Sequence, residues 1–440
     1  MRTSHHGNLS AHAVSSLPDS HSVSSGPPSP GTGRIACAFV GILDDEGRNG
    51  ENAAYSPAGA QFQESLLEAL GSTSLNVTRV YSLRPVQSYP KCRTLLFGAR
   101  ETLCKTIPMT LLPFVNYGPL KTLTSGFALF PRLLAWAWRE RHRPRVVLLY
   151  NLYSPPGIVS IVAGRLTRTP VVAIVADIQV PGQGLLPRTI LRLLDFQLQI
   201  RTLPLFDGLV VLTKAVVEDF APAVPCMELD GAVPESLMDP LQLIDREADG
   251  DSRCIIMYAG GLSELKGVPL LLSAFAMLDG EGFELWVTGR GPLEALVRQA
   301  ADHDARITYW GFPAQEKLHE LYARADVLVN PHSASTESAR YLFPSKLIEY
   351  LATGVPVVST CSTPAVQACY GDVAVVSGDG APASLAEGLR RVASMSRLER
   401  RAIGRRGRSF VLREKSWRGQ VDRVSAFVGA LVEHRGTSTK

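Results

Sequence analysis

The sequence predicts an α/β protein organised as two doubly wound parallel-sheet domains. Three observations predict it. Short aliphatic runs, apolar on both faces, recur along the chain, as strands buried between two helical layers require. Amphipathic stretches separate them, as in alternating strand–helix units. At 440 residues the chain is too long for one comfortable hydrophobic core.

The strand-like runs are Ile35–Val40, Val146–Tyr150, Val171–Val175, Gly208–Leu212, Ile255–Tyr258, Glu284–Thr288, Val327–Asn330 and Val355–Ser359. Helical stretches between them include Gln61–Leu70, Pro269–Leu278, Pro292–Ala301 and Ser345–Thr353. In Pro269–Leu278, Leu271, Phe275 and Leu278 share one face at three- and four-residue spacing. The polar stretch Asp239–Arg253 is the natural boundary, so the spacing predicts Rossmann-like domains over 34–245 and 251–408. A last helical segment, over 409–440, carries Trp417, Val421, Val424 and Phe427 on one side and must pack against something. Segment 1–33 is rich in Ser, Pro, Gly and His and is expected to be disordered, because it cannot offset the entropy of ordering. It also lacks the continuous apolar core of a secretory signal.

Hydrophobic residues make up 45% of the chain and charged ones 20%, which fits a globular protein with ample material for two cores. Seven scattered cysteines, odd in number and without a CxxC pair, argue for a reducing compartment such as the cytoplasm and against a structural metal site. The net charge of +4 is unevenly spread. Between Arg79 and Arg145 twelve Lys and Arg face two acids, Glu101 and Glu140. Leu95, Leu96, Phe97, Leu111, Leu112, Phe114, Phe127, Leu129, Phe130, Trp136 and Trp138 are interleaved with them. Two readings stay open: a peripheral element for the inner face of a plasma membrane, or core helices with solvated basic faces. Pro108, Pro113, Pro119, Lys121 and Pro131 interrupt each apolar run before it reaches bilayer length. No recognised nucleic-acid motif accompanies the charge, so nucleic acid is not expected as a partner.

In open α/β sheets ligands bind beyond the carboxyl ends of strands, so the residues that follow strands are informative. After Ile255–Tyr258 comes Ala259-Gly260-Gly261-Leu262-Ser263-Glu264-Leu265-Lys266-Gly267. Paired glycines allow a tight turn and a close backbone approach. Lys266 is expected in the first turn of the next helix, where a cation beside exposed amides suits a diphosphate. After Glu284–Thr288 comes Gly289-Arg290-Gly291-Pro292, with Pro292 expected as the first helical residue. Taken singly, each turn is better explained by sheet architecture, since glycine turns occur in any α/β sheet. The run Phe343–Val358 (FPSKLIEYLATGVPVV) is more specific and reads as loop, short helix, strand. Pro344 starts the helix and leaves the amides of Ser345 and Lys346 for an anion. Glu349, one turn beyond Ser345 on the same face, can accept two ribose hydroxyls or pair with a nearby cation.

From about Ile255 to the end, the chain resembles the retaining GT-B glycosyltransferases of family four. The residues that carry the resemblance are the GG…LKG turn, the GRGP turn, Trp310-Gly311-Phe312, the helix Leu321–Asp326, the FPSKLIEYLATGVPVVST block and Ser416-Trp417. The first half agrees through an aliphatic strand ending at Gly41, a Gly59 turn before a helix, Val175-Ala176-Asp177 where the family often shows His-Asp, and Phe206–Thr213. The resemblance implies a GT-B fold, two Rossmann-like domains facing each other across a cleft. It also implies sugar transfer with retention from a nucleotide-sugar donor, without cofactor or metal, to a glycan or lipid-linked acceptor in surface polysaccharide synthesis. Carried over by position, Lys266 takes the donor pyrophosphate, Glu349 the ribose, and Gly311 and Phe312 the base. Gly260, Gly261, Gly289, Gly291, Ser345 and Lys346 line the phosphate end. Asp177 is expected either to orient an acceptor hydroxyl or to cap the turn that follows its strand.

Two positions depart from the family pattern. Gly261 stands where an arginine is usual, five residues before Lys266, and Tyr341 stands for the first of two paired glutamates. Lys346 or Arg340 can restore the missing charge, as the FPSK spelling of one branch suggests, while Glu337 or Glu264 can reach toward the sugar. Loss of both groups also raises an alternative, a degenerate subunit that binds a sugar nucleotide or glycolipid and supports a partner transferase. Another GT-B activity, such as an epimerase or phosphorylase, fits less well, because no pyridoxal-binding lysine motif is evident.

Overall fold

Two mainly parallel sheets, with central strands buried on both faces, organise the chain. The computed structural model describes residues 34–45, 57–151, 154–176, 178, 187–229, 232–233, 253–331, 341, 345–360, 371, 374–376 and 380–437. Segment 1–33, Asp177, Glu337, Arg340, Phe343, Pro344 and most of the polar stretch 239–253 lie outside the described residues.

The first sheet contains β1 (Ile35–Gly41), β2 (Leu75–Ser82), β4 (Arg100–Cys104), β5 (Ile107–Leu111), β7 (Arg145–Tyr150), β8 (Val171–Val175), β9 (Gly208–Val211) and β10 (Cys226–Glu228), while the short strands β3 (Leu96–Phe97) and β6 (Phe114–Val115) pair with each other. Its order is β10-β9-β8-β7-β1-β2-β5-β4, with every neighbour parallel except β4 on β5. All seven residues of β1 are buried, which is why the strand reads as a continuous apolar run. One face is covered by α2 (Leu120–Arg139) and α3 (Pro156–Thr167), through Leu129, Leu133, Trp136 and Ile161. The other is covered by α1 (Pro57–Leu70) through Leu66, Leu67 and Leu70. α4 (Pro187–Thr202) and α5 (Ala215–Phe220) flank the β8–β9 side.

The second sheet, β13 (Ile307–Tyr309), β12 (Phe283–Thr288), β11 (Cys254–Ala259), β14 (Val327–Asn330), β15 (Val357–Ser359) and β16 (Val375–Val376), runs in that order and is wholly parallel. Strand order therefore reverses between β11 and β14, and the crevice beyond their carboxyl ends is where such sheets take ligands. α6 (Val268–Ala276), α7 (Glu294–His303) and α10 (Pro382–Ala393) fill one face through Leu271, Phe275, Val297 and Leu389. α8 (Gln315–Arg324), α9 (Ser345–Thr353) and α11 (Arg397–Glu414) fill the other through Tyr322, Leu347, Leu351 and Val411.

The last helix, α12 (Trp417–Thr437), belongs to the first sheet's core, not the second's. Trp417, Val421, Val424 and Val428 are buried there beside β1 and α1, and the Trp417 ring meets Phe62 edge-on at 5.2 Å. The return crossing is fixed locally. Lys415 O accepts from Val233 N at 2.9 Å, and Val233 is itself buried against the second sheet, so the outgoing and returning segments are bonded to each other. Ser416 Oγ then accepts from Gly419 N at 3.3 Å and opens α12.

Three local expectations are corrected. Of the basic stretch only α2 is a core helix, and four short strands precede it where further helices were expected. Gly59 lies inside α1, where Gln63 reaches back to its carbonyl and to Ile42, tying the helix to the end of β1. Pro292 precedes its helix, because Leu293 N is drawn onto Leu262 O and α7 begins only at Glu294. Among the described residues no helix is long and apolar enough to cross a membrane.

Because α12 supplies part of the first core from the far end of the chain, Trp417→Ala is expected to lower the unfolding free energy by about 3–5 kcal/mol. Urea unfolding followed by circular dichroism checks this. A loss below about 1 kcal/mol would mean that the helix is not integral to the core.

Candidate functional site

Three backbone turns meet beyond the carboxyl ends of β11, β12 and β13. Gly260 N donates to Thr288 O at 3.1 Å, Leu262 N to Arg290 O at 2.9 Å, and Gly289 N to Gly311 O at 2.7 Å. The approach is too close for side chains. A Cβ on Gly289, whose φ is +137°, would lie 1.8 Å from Gly260 O, and one on Gly291 would lie 2.2 Å from Leu262 O. The glycines at these positions are therefore demanded by packing between turns. Tyrosines hold the same turns from below. Tyr258 Oη donates to Gly261 O at 2.8 Å and Tyr309 Oη to Gly289 O at 2.7 Å.

Lys266 sits at the end of the first turn. It is not in the first turn of α6, as expected, because Gly267 at φ +72° caps that helix in the left-handed region and places Lys266 just outside it. A Cβ on Gly267 would fall 1.3 Å from Pro331 O, so this turn lies directly against the residue that follows β14. Lys266 is thus half-buried at the point where strand order reverses, and its own N–H donates to Ser263 Oγ at 3.3 Å.

α9 is anchored to the same strand end. The Tyr350 hydroxyl accepts from Ala259 N at 2.9 Å and donates to Ala259 O at 2.8 Å, so the last residue of β11 and the helix are joined by two bonds. The neighbouring Glu349 carboxylate is held on both oxygens, Oε1 by the Tyr322 hydroxyl at 3.0 Å and Oε2 by Lys346 Nζ at 2.7 Å. Burial pushes the Tyr322 and Tyr350 hydroxyls well above the usual tyrosine range, and Glu349 adds to this at Tyr322, so both remain neutral donors. Each Glu349 oxygen keeps a further lone pair for a ligand hydroxyl. Ser345 is exposed at the first position of the helix.

At the outer rim Gly311 has φ +67° with open space above its Cα, and the exposed Phe312 ring carries the Arg290 guanidinium 4.5 Å from its centroid. Tyr341 faces the other way. Its hydroxyl donates to Asp219 Oδ2 at 2.9 Å and its ring lies 5.4 Å from Phe220, so it joins the second half of the chain to α5 of the first.

The sequence-predicted residues thus fall into three sets. Gly260, Gly261, Lys266, Gly289, Gly291, Lys346 and Glu349 lie on or beside turns bonded to the ends of β11 and β12, with Ser345, Gly311 and Phe312 at the edges. Tyr341 is engaged with the first half. Asp177 lies outside the described residues. Sequence reasoning missed Tyr322, Tyr350, Tyr258 and Tyr309, whose hydroxyls do the anchoring. The only signal was a tyrosine at the apolar end of a helix or strand, which reads as ordinary core.

The close approach of turns predicts a contrast. Gly289→Ala should destabilise the fold by about 2 kcal/mol or more through its φ and the contact with Gly260 O. Gly282→Ala, where a Cβ meets nothing within 4 Å, should stay within about 0.5 kcal/mol. Thermal melts of both variants check it, and equal melting temperatures would refute the packing account.

Residues 253–395 match the family described as Glycosyl transferases group 1. The amylovoran biosynthesis glycosyltransferase AmsK of Erwinia amylovora is 32% identical over 110 residues, which cover 24% of this chain and 27% of AmsK, so the match spans about a quarter of that relative. Among solved structures, sucrose-phosphate synthase from Thermosynechococcus elongatus superposes with a TM-score of 0.62 at 17% identity, covering 92% of this chain and 100% of that one. HepE from Anabaena in complex with UDP gives 0.60 at 14% identity, covering 90% and 100%. These likenesses extend over both halves, and the fold is that of the GT-B glycosyltransferases.

Proposed function

We propose that the chain is a glycosyltransferase that draws a sugar from a nucleotide donor bound beyond the carboxyl end of β11. The observation that carries this is the convergence on one strand end of Lys266, the glycine turns and a doubly held Glu349, within the segment that matches the glycosyl transferases. HepE, of the same fold, is described in complex with UDP, which favours a uridine diphosphate among the donors to be tried.

In this reading the diphosphate lies over the Gly260–Gly261 turn with Lys266 beside it, and Ser345 and Lys346 at the start of α9 face its other side. Glu349 accepts the ribose hydroxyls, and Gly311 with Phe312 borders the base. During transfer the bond between the sugar's anomeric carbon and the diphosphate breaks, and the acceptor hydroxyl oxygen takes its place while its proton passes to the departing phosphate. Charge develops on that phosphate, so fixed cations and amides in a water-poor cleft accelerate departure. Transfer occurs with retention and without a metal ion or cofactor. The first half presents the acceptor, a glycan or lipid-linked sugar of surface polysaccharide synthesis, and Asp177 orients its hydroxyl. Tyr341 bonds the two halves instead of supplying the charge of a glutamate, so the sugar is gripped by other groups.

A thermal-shift panel of nucleoside diphosphates and their sugars tests this. One nucleotide should raise the melting temperature, and Glu349→Ala should abolish the shift. Tyr322→Phe, Lys346→Ala and Lys266→Ala should each weaken binding roughly tenfold, as loss of a bond to a charged group does. No shift with any nucleotide contradicts the donor site, and binding without sugar transfer to any acceptor contradicts the activity.

A further inference from the structure

We propose that the outward face of α2, together with β3, is a docking surface for an anionic lipid bilayer. α2 is apolar on two opposite sides. Leu129, Leu133, Trp136 and Ala137 face the first sheet's core and are buried. At 3.6 residues per turn, Leu120, Phe127, Pro131 and Trp138 fall in one line on the far side, with Leu123 beside it. That line is about 27 Å long at 1.5 Å per residue. Its members are solvent-facing, Phe127 at 70% and Trp138 at 66% relative exposure. A helix that merely covers a sheet needs only one apolar side.

The stripe continues past the helix. Val115 N donates to Thr124 Oγ1 at 3.0 Å, which holds β6 against α2, and Leu96 of β3 pairs with Val115. Leu96 is 70% exposed, with Leu95, Tyr89 and Tyr117 also exposed around it. Scattered exposed leucines are ordinary, whereas a contiguous run of this size marks a surface that something covers.

Charge selects the occupant. Arg132 and Arg139 follow one flank of the stripe at the same helical angle. Arg141 lies 4.2 Å over the Trp138 ring, and Lys91 and Arg93 are exposed near β3. Among the described residues none of these five forms an ion pair, because Glu101 is taken by Arg79 and Glu140 by Arg143. Lys121 does not belong to the set. Its ammonium donates to Val86 O, and burial lowers its pKa to about 8. Cations beside large rings and leucines match headgroup phosphates above acyl chains. A protein partner or second copy would not by itself call for so many unpaired arginines.

The test is co-sedimentation of the full chain with vesicles of phosphatidylcholine alone or mixed with phosphatidylglycerol. Binding should favour the mixed vesicles and fall as salt rises. Phe127→Ser with Trp138→Ser should lower partitioning at least tenfold. Arg132→Gln with Arg139→Gln and Arg141→Gln should lower it by roughly fivefold per arginine on the mixed vesicles only. Both variants alter exposed or half-exposed positions, so unchanged melting temperatures verify that they fold. Absence of wild-type binding overturns the proposal, as does binding that neither variant disturbs. A lipid-free dimer that the Phe127/Trp138 variant converts to monomer also overturns it, by assigning the face to a second copy. The readout does not involve the nucleotide, so failure here and failure of the donor site are distinguishable.

Discussion

Backbone packed on backbone at the ends of β11, β12 and β13 is the constraint on which the rest of the second half depends. Gly289 can lie under Gly260 O, and Gly291 under Leu262 O, only because neither carries a Cβ. That approach lets three consecutive strand ends share their hydrogen bonds turn to turn, without intervening side chains. The result is a floor of peptide groups at the position where strand order reverses, bordered by a lysine. Buried tyrosines fix the floor to the sheet and to α9, and their hydroxyls stay neutral because desolvation opposes ionisation. Precision at Glu349 therefore comes from two supports of different kinds, a buried neutral donor and a surface cation, each on its own oxygen.

The two halves are joined by more than a linker. Val233 and Lys415 bond to each other where the chain crosses, α12 returns to complete the first core, and Tyr341 reaches from the second half to Asp219 and Phe220. Such ties restrain how far the halves can separate. They also give Tyr341 a physical role that a glutamate at the same place would fill only with difficulty, since its carboxylate would face that of Asp219 at close range.

Much of the architecture was legible because parallel strands buried on both faces leave an unmistakable apolar run. Val171–Val175, Val327–Asn330 and Ser345–Thr353 have the same limits in sequence and structure. Helix starts were less legible. Gly267 lies closely against Pro331 O and Leu293 N is bonded to Leu262 O, and no local pattern records a neighbour on another strand. The same reason hid the tyrosines. A residue such as Tyr350 is spaced as core, and only the fold shows that its hydroxyl meets both polar atoms of Ala259. The outer stripe of α2 was visible as composition alone, and the helix was needed to sort Trp136 inward from Trp138 outward.

The central claim is that a nucleotide binds at the end of β11 and on α9. Hydrogen exchange measured by mass spectrometry, with and without UDP or whichever nucleoside diphosphate binds, tests it most directly. Amides in 260–267, 289–291, 311–312 and 345–349 should exchange more slowly when the nucleotide is present, while the sheet of the first half should be unchanged. Protection confined to the first half, or binding with no protection in those four segments, would contradict the account.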